Sequence, residues 1–196
     1  VIFKKGIRVI TNETERLSQM VEELLDFSRM QSGHFTLQQS AMDVLAELGE
    51  AALIYAERAK IEDITMTYEE PEMLPVVYGD KNRIRQVFIN IIDNAIKYTP
   101  SGSVISIRGF KKAGKAQVSV EDNGPGIPDE MKPHIFEMFY TGKTTVADSQ
   151  RSLGLGLALC RSIIEAHDGT LVLSDHAPHG CNFTFTLPLS EVTLNE

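Results

Sequence analysis

The stretch Ala116-Gln117-Val118-Ser119-Val120 runs through Glu121 into Asp122-Asn123-Gly124-Pro125-Gly126, and this junction constrains the fold more than any other segment. Its alternation predicts a half-buried strand. That strand delivers a carboxylate and then two glycines to a point where backbone must pass close to something flat or bulky. Glycine permits such an approach because it has no Cβ and tolerates positive φ. An acidic turn with glycine after a strand is common in itself, so its meaning depends on what the rest of the chain brings beside it.

Periodicity supplies the other elements. Residues 7–31 place Ile7, Ile10, Leu17, Met20, Val21, Leu24, Leu25 and Phe27 mostly three and four apart, with charged residues between. The run ends at Gln31-Ser32-Gly33, where glycine suits a C-cap. Pattern alone leaves two packings open for this long helix: against its own domain, or with other helices in a bundle. Phe35, Leu37 and Gln39 then alternate, and residues 42–60 read as a second helix. Strands follow at 64–68 and 76–78, and Asp80 reads as the N-cap of a third helix stopped after Tyr98 by Thr99-Pro100-Ser101-Gly102. Strands 103–111 and 115–121 meet at Ala113-Gly114. A loop spans roughly 123–153 with a short helical piece near 129–136, Leu155 to Ala166 is a fourth helix, and strands at 170–174 and 182–187 close the chain. Strands that cluster after helices and join by hairpins predict a mixed sheet with helices on one face, an α+β two-layer sandwich. Residues 1–33 are expected to be a separate helical segment and 34–196 the main domain.

Composition narrows the partners. The formal net charge of −8, with no long basic run, argues against nucleic acid. Cys160 and Cys181 fit no metal spacing and no disulfide framework, as expected of reduced, buried thiols in a cytoplasmic domain. No segment approaches the ~18 apolar residues that span a bilayer, so no membrane contact is expected. The chain starts at Val1 within helical sequence and is expected to be a fragment, possessing only part of that first helical unit.

Two further segments carry chemistry. In Asn90-Ile91-Ile92-Asp93-Asn94-Ala95-Ile96-Lys97-Tyr98, the residues Asn90, Asn94 and Lys97 lie at i, i+4 and i+7 and share one helix face. Such a stripe is often only a solvated face. Yet asparagine is a mediocre helix former, its carboxamide oxygen is a hard ligand suited to Mg²⁺, and Lys97 can meet a phosphate as a point charge. In Gly154-Leu155-Gly156-Leu157 the glycines open a helix, where free N–H groups and the helix dipole favour phosphate.

These segments in this order, with Ile135-Phe136-Glu137-Met138-Phe139-Tyr140 before the last, resemble the catalytic, ATP-binding domain of sensor histidine kinases, in the GHKL or Bergerat-fold superfamily. The likeness covers about residues 36–189. Asn90 to Tyr98 resembles the N box, Asp122 to Gly126 the G1 box, Ile135 to Tyr140 the F box and Gly154 to Leu157 the G2 box. Residues 15–32 resemble the second helix of the dimerisation and phosphoacceptor hairpin, which favours the bundle packing.

The resemblance implies ATP and Mg²⁺ as ligands and assigns roles. Asp122 would accept a hydrogen bond from the adenine 6-amino group, a position where guanine presents a carbonyl. Asn94 would ligate Mg²⁺ with Asn90 assisting, and Lys97 and Tyr98 would line the phosphate and ribose side. Gly124 and Gly126 would let backbone pass the base, with Ile127 as an apolar wall. Phe139, Lys143, Gly154, Leu155, Gly156 and Leu157 would complete the nucleotide site, with 140–153 as a lid. It further implies a homodimer through the hairpin and a response regulator receiver domain as partner.

Hydrolases of this superfamily resemble one another in a glutamate one turn before the Mg²⁺ asparagine. Here that position is Asn90, which cannot accept a proton, so kinase chemistry is expected over hydrolysis. None of His34, His134, His167, His176 and His179 has the context of an acceptor histidine, so this chain is expected not to label itself. Two departures stand out: Met138 replaces the usual F-box arginine, for which Lys143 or Arg151 could substitute, and Arg151-Ser152-Leu153 replaces extra G2 glycines. A nucleotide-binding scaffold without transfer is the alternative they leave open.

Overall fold

The computed structural model of the chain describes residues 2–69, 76–141 and 154–190, which form two compact units. One comprises residues up to 36 with 135–159. The other comprises 37–134 with the residues from 160 onward.

In the first unit, helix α1 (Ile2–Gln31) is longer than its periodic core predicted. It ends where Gly33 takes φ +70 and the chain turns.

The second unit is a mixed five-stranded sheet with helices packed on one face. Its strands are β2 (Thr65–Glu69), β4 (Val104–Lys112), β5 (Lys115–Asp122), β6 (Thr170–Asp175) and β7 (Cys181–Pro188), in the order β2-β4-β5-β7-β6. β2 runs parallel to β4; the other pairings are antiparallel. Two short strands, β1 (Ser40–Met42) and β3 (Val77–Gly79), form a separate pair.

Period-two alternation decides which face is buried. Ile105, Ile107, Val118, Val120, Phe183, Phe185 and Leu187 are all at most 6% exposed. Register stacks them in rows, Ile107 beside Val120 and Val120 beside Phe183. The reverse face is polar: Arg108 pairs with Glu121 at 2.8 Å, and Thr170 with Thr186 at 2.8 Å.

Helix α2 (Val44–Ile61) is capped by Asp43, whose side chain accepts from Leu45 and Ala46 N–H. Helix α3 (Lys81–Tyr98) presents Ile84, Val87, Phe88, Ile91, Ile92 and Ala95 to the core. The Phe88 and Phe185 rings lie 5.4 Å apart, which places α3 on the apolar face of the sheet. As expected, Asp80 caps α3, its Oδ1 accepting from Asn82 and Arg83 N–H. Its own backbone N–H donates to His167 Nε2 at 2.9 Å, while His167 Nδ1 lies 2.7 Å from the Ile163 carbonyl. With both ring nitrogens engaged and only 4% exposed, His167 is a buried brace between the start of α3 and the end of helix α4 (Gly156–Ala166).

Three details differ from the sequence expectation. β1 was not foreseen, being only three residues long. The helical piece expected near 129–136 is a single 3-10 turn, Lys132–His134, because Pro128 and Pro133 offer no N–H to extend it. α4 begins at Gly156, because Leu155 serves as the residue before the helix, its carbonyl accepting from Leu159 N–H at 2.9 Å. No described helix is long and apolar enough to cross a membrane.

Candidate functional site

β5 carries its inner-face alternation to Asp122, which is 8% exposed at the strand end. The Oδ1 atom accepts from Gly124 N–H at 2.9 Å and from Cys181 N–H at 3.3 Å. Oδ2 has no partner among the described residues. Burial pushes the Asp122 carboxyl above its ordinary range; the two N–H donors and the nearby His176 oppose this without cancelling it. The result is a sheltered carboxylate with one oxygen fixed and one presented for a donor.

A Cβ at Gly124 would stand 2.8 Å from Asp122 Oδ1, so a larger residue there would push that carboxylate off its donors. Gly126 adopts φ +75. Beside both, the turn between β6 and β7 closes against the end of β5. At Gly180, φ +125, a Cβ would lie 1.9 Å from the Asp122 carbonyl oxygen. Ile127, partly exposed, continues the turn as an apolar neighbour.

On α3, Asn90, Asn94 and Lys97 occupy the stripe that the spacing predicted, all partly buried. The Asn90 Nδ2 atom is enclosed and has no hydrogen-bond partner among the described residues. Leaving a buried amide unpaired costs about 1–3 kcal/mol, and native proteins rarely tolerate it without a ligand or water to satisfy it. A carboxamide offers N–H to a phosphate oxygen or, turned over, its carbonyl to a cation. Asn90, with Asn94 one turn further along the same face, could hold a Mg²⁺ ion. The Lys97 ammonium sits 5.0 Å from the Tyr98 ring centroid and forms no ion pair with a described residue, so its charge is available to an anion. Tyr98 is 47% exposed.

The remaining predicted residues belong to the first unit. Phe139, at φ +62, donates its N–H to the Gly154 carbonyl at 3.1 Å. Gly154, at φ +67, could not carry a Cβ, which would stand 2.7 Å from the Tyr140 carbonyl oxygen. Leu155 is 1% exposed and precedes α4, so Gly156 and Leu157 lie in its first turn, where N–H groups lack intrahelical acceptors. Met138 is 42% exposed. Lys143, Arg151, Ser152 and Leu153 lie outside the described residues.

Sequence reading did not anticipate the contribution of the β6–β7 turn. Cys181 N–H and the Gly180 backbone converge on Asp122 from 59 residues away. The signal available was a glycine directly before a strand, which alone carries no address.

The family described as histidine kinase-, DNA gyrase B- and HSP90-like ATPase matches residues 79–191. The chain is 35% identical over 174 residues to the adaptive-response sensory kinase SasA of Microcystis aeruginosa, covering 88% of this chain and 45% of that protein. Among solved structures, the catalytic domain of the histidine kinase ThkA matches with TM-score 0.68 and 31% identity, over 77% of this chain and 97% of that one. ThkA in complex with the response regulator protein TrrA matches with TM-score 0.74 and 32% identity, over 96% of this chain and 52% of that chain. The chain spans less than half the length of the curated relatives it matches. It belongs to the histidine kinase-, DNA gyrase B- and HSP90-like ATPase family, and within it to the catalytic domains of sensor histidine kinases.

Proposed function

We propose that this chain is the ATP-binding core of a sensor histidine kinase. The complete protein would move the γ-phosphoryl group of ATP to a histidine on a helical hairpin, and from there to an aspartate of a response regulator. The observation that carries this reading is the enclosed Nδ2 of Asn90, unpartnered among the described residues, at the position where hydrolases of the family carry a basic glutamate.

Each residue then has a task. Asp122 Oδ2 accepts a hydrogen bond from the adenine amino group, while Oδ1 stays on its two backbone donors. Gly124 and Gly126 keep the turn low beside the base. Lys97 draws in the phosphates. Mg²⁺, held by Asn94 and Asn90, would supply positive charge that stabilises the departing phosphate oxygens. Asn90 cannot take a proton from water, so the bound nucleotide waits for a better nucleophile, and a neutral imidazole is one.

That imidazole is supplied from outside. α1 contains no histidine, and His167 has both ring nitrogens engaged in the core. Support for a dimeric hairpin comes from Ile7, Ile10, Leu17, Val21, Leu24 and Leu25 on α1, which are 46% to 68% exposed. The ThkA–TrrA complex supports a response regulator as partner; its docking surface should include the residue 15–31 helix.

The test is to mix the chain with Mg·ATP and a separately produced hairpin bearing an acceptor histidine. Acid-labile label on that histidine, and none on the chain alone, is the expected result. Nucleotide binding with no transfer would favour a scaffold role, which the exposed Met138 in place of an arginine motivates. Steady phosphate release would instead indicate a hydrolase.

A further inference from the structure

We infer that His179, at the tip of the β6–β7 turn, is a positioning residue for the adenine-binding turn, an inference that rests on the nucleotide reading above. His179 Nδ1 lies 3.0 Å from the Gly124 carbonyl oxygen. A carbonyl only accepts, so the imidazole donates from Nδ1. The same residue, Gly124, gives its N–H to Asp122 Oδ1. Gly124 is thus held from both sides, by Asp122 through its N–H and by His179 through its carbonyl. These bonds fix the peptide units whose orientation determines where Oδ2 is presented.

The tip is built to hold that post. Gly180 lets it approach to the point where any Cβ would overlap the Asp122 carbonyl oxygen. His176 N–H donates to the Gly180 carbonyl at 3.1 Å and tightens the turn. Lys132 ties it to the segment following Gly126, with Nζ 2.7 Å from Asp175 and 2.6 Å from Asp129. Asn123 ties the start of this turn to β4, its N–H donating to the Val104 carbonyl and its Oδ1 accepting from Val104 N–H, whereas the Gly124 carbonyl beyond it is held by His179. Removing the His179 donor frees the Gly124 peptide to rotate and lowers the population with Asp122 Oδ2 in its binding orientation.

The test is calorimetric titration of a non-hydrolysable ATP analogue into wild type, His179→Ala and His179→Asn, with tripolyphosphate as a ligand lacking the base. Loss of one hydrogen bond predicts about fivefold weaker binding of the analogue by His179→Ala. Asparagine, which keeps an N–H donor, restores binding to about twofold of wild type. Tripolyphosphate binding stays the same in all three. Unchanged affinity in His179→Ala, or equal weakening by both variants with a fall in thermal midpoint, overturns the positioning role alone. Wild-type protein that binds no adenine nucleotide overturns the kinase reading and this inference with it.

Discussion

Replacing Asp122 by asparagine isolates the proposed adenine contact. The variant keeps a carbonyl oxygen for Gly124 and Cys181 N–H, which lie 2.9 and 3.3 Å from Oδ1 in the wild type. What it loses is Oδ2, which becomes an NH₂ donor facing the amino donor of adenine. A hydrogen bond to a charged group contributes about 1.5–3 kcal/mol, so ATP affinity should fall about ten- to a hundredfold. The fold should tolerate the change, because burial already disfavours the charged form of this carboxyl. An NH₂ group can also pair with the guanine carbonyl, so preference for ATP over GTP should shrink. Calorimetry with both nucleotides, beside a thermal melt, separates these effects. Affinity for ATP within twofold of wild type, with the fold intact, would refute the adenine assignment.

Three other outcomes follow from the same geometry. The raised carboxyl of Asp122 gives pH two opposite effects: as pH falls through its folded-state value, protonation relieves the cost of a buried charge and adds stability, while ATP binding weakens; measured as the difference between wild type and Asp122→Asn across that range, the thermal midpoint should gain and ATP affinity should fall as pH drops. Asn94→Ala should remove most of the Mg²⁺ dependence of ATP binding, read by titration with and without the metal. His167→Leu leaves the Asp80 N–H without its acceptor at the cap of α3 and should cost about 1–3 kcal/mol in denaturant unfolding.

The parts of this fold that local chemistry punctuates were legible in the sequence. Asp80 marks the start of α3 because its side chain caps free N–H groups, and Thr99-Pro100 marks the end because proline restricts the residue before it. The stripe of Asn90, Asn94 and Lys97 was readable from helical period alone. What the pattern could not supply was adjacency between distant segments. Nothing local to Thr65–Glu69 says that this strand lies parallel to β4, or that Gly180 closes against Asp122. The brace formed by His167 was equally silent, because a histidine after an apolar helix reads the same whether its nitrogens find water or Asp80. The lone Nδ2 of Asn90 is informative for the converse reason: spacing placed it on the right face, but only the packed structure showed that nothing described satisfies it.

The most direct measurement of the central claim is calorimetric titration of this chain with a non-hydrolysable ATP analogue, with and without Mg²⁺, and with GTP as control. Micromolar, Mg²⁺-sensitive binding selective for adenine is the predicted result. An absence of binding, or equal affinity for GTP, would contradict the assignment of Asp122 and the α3 stripe as a nucleotide site.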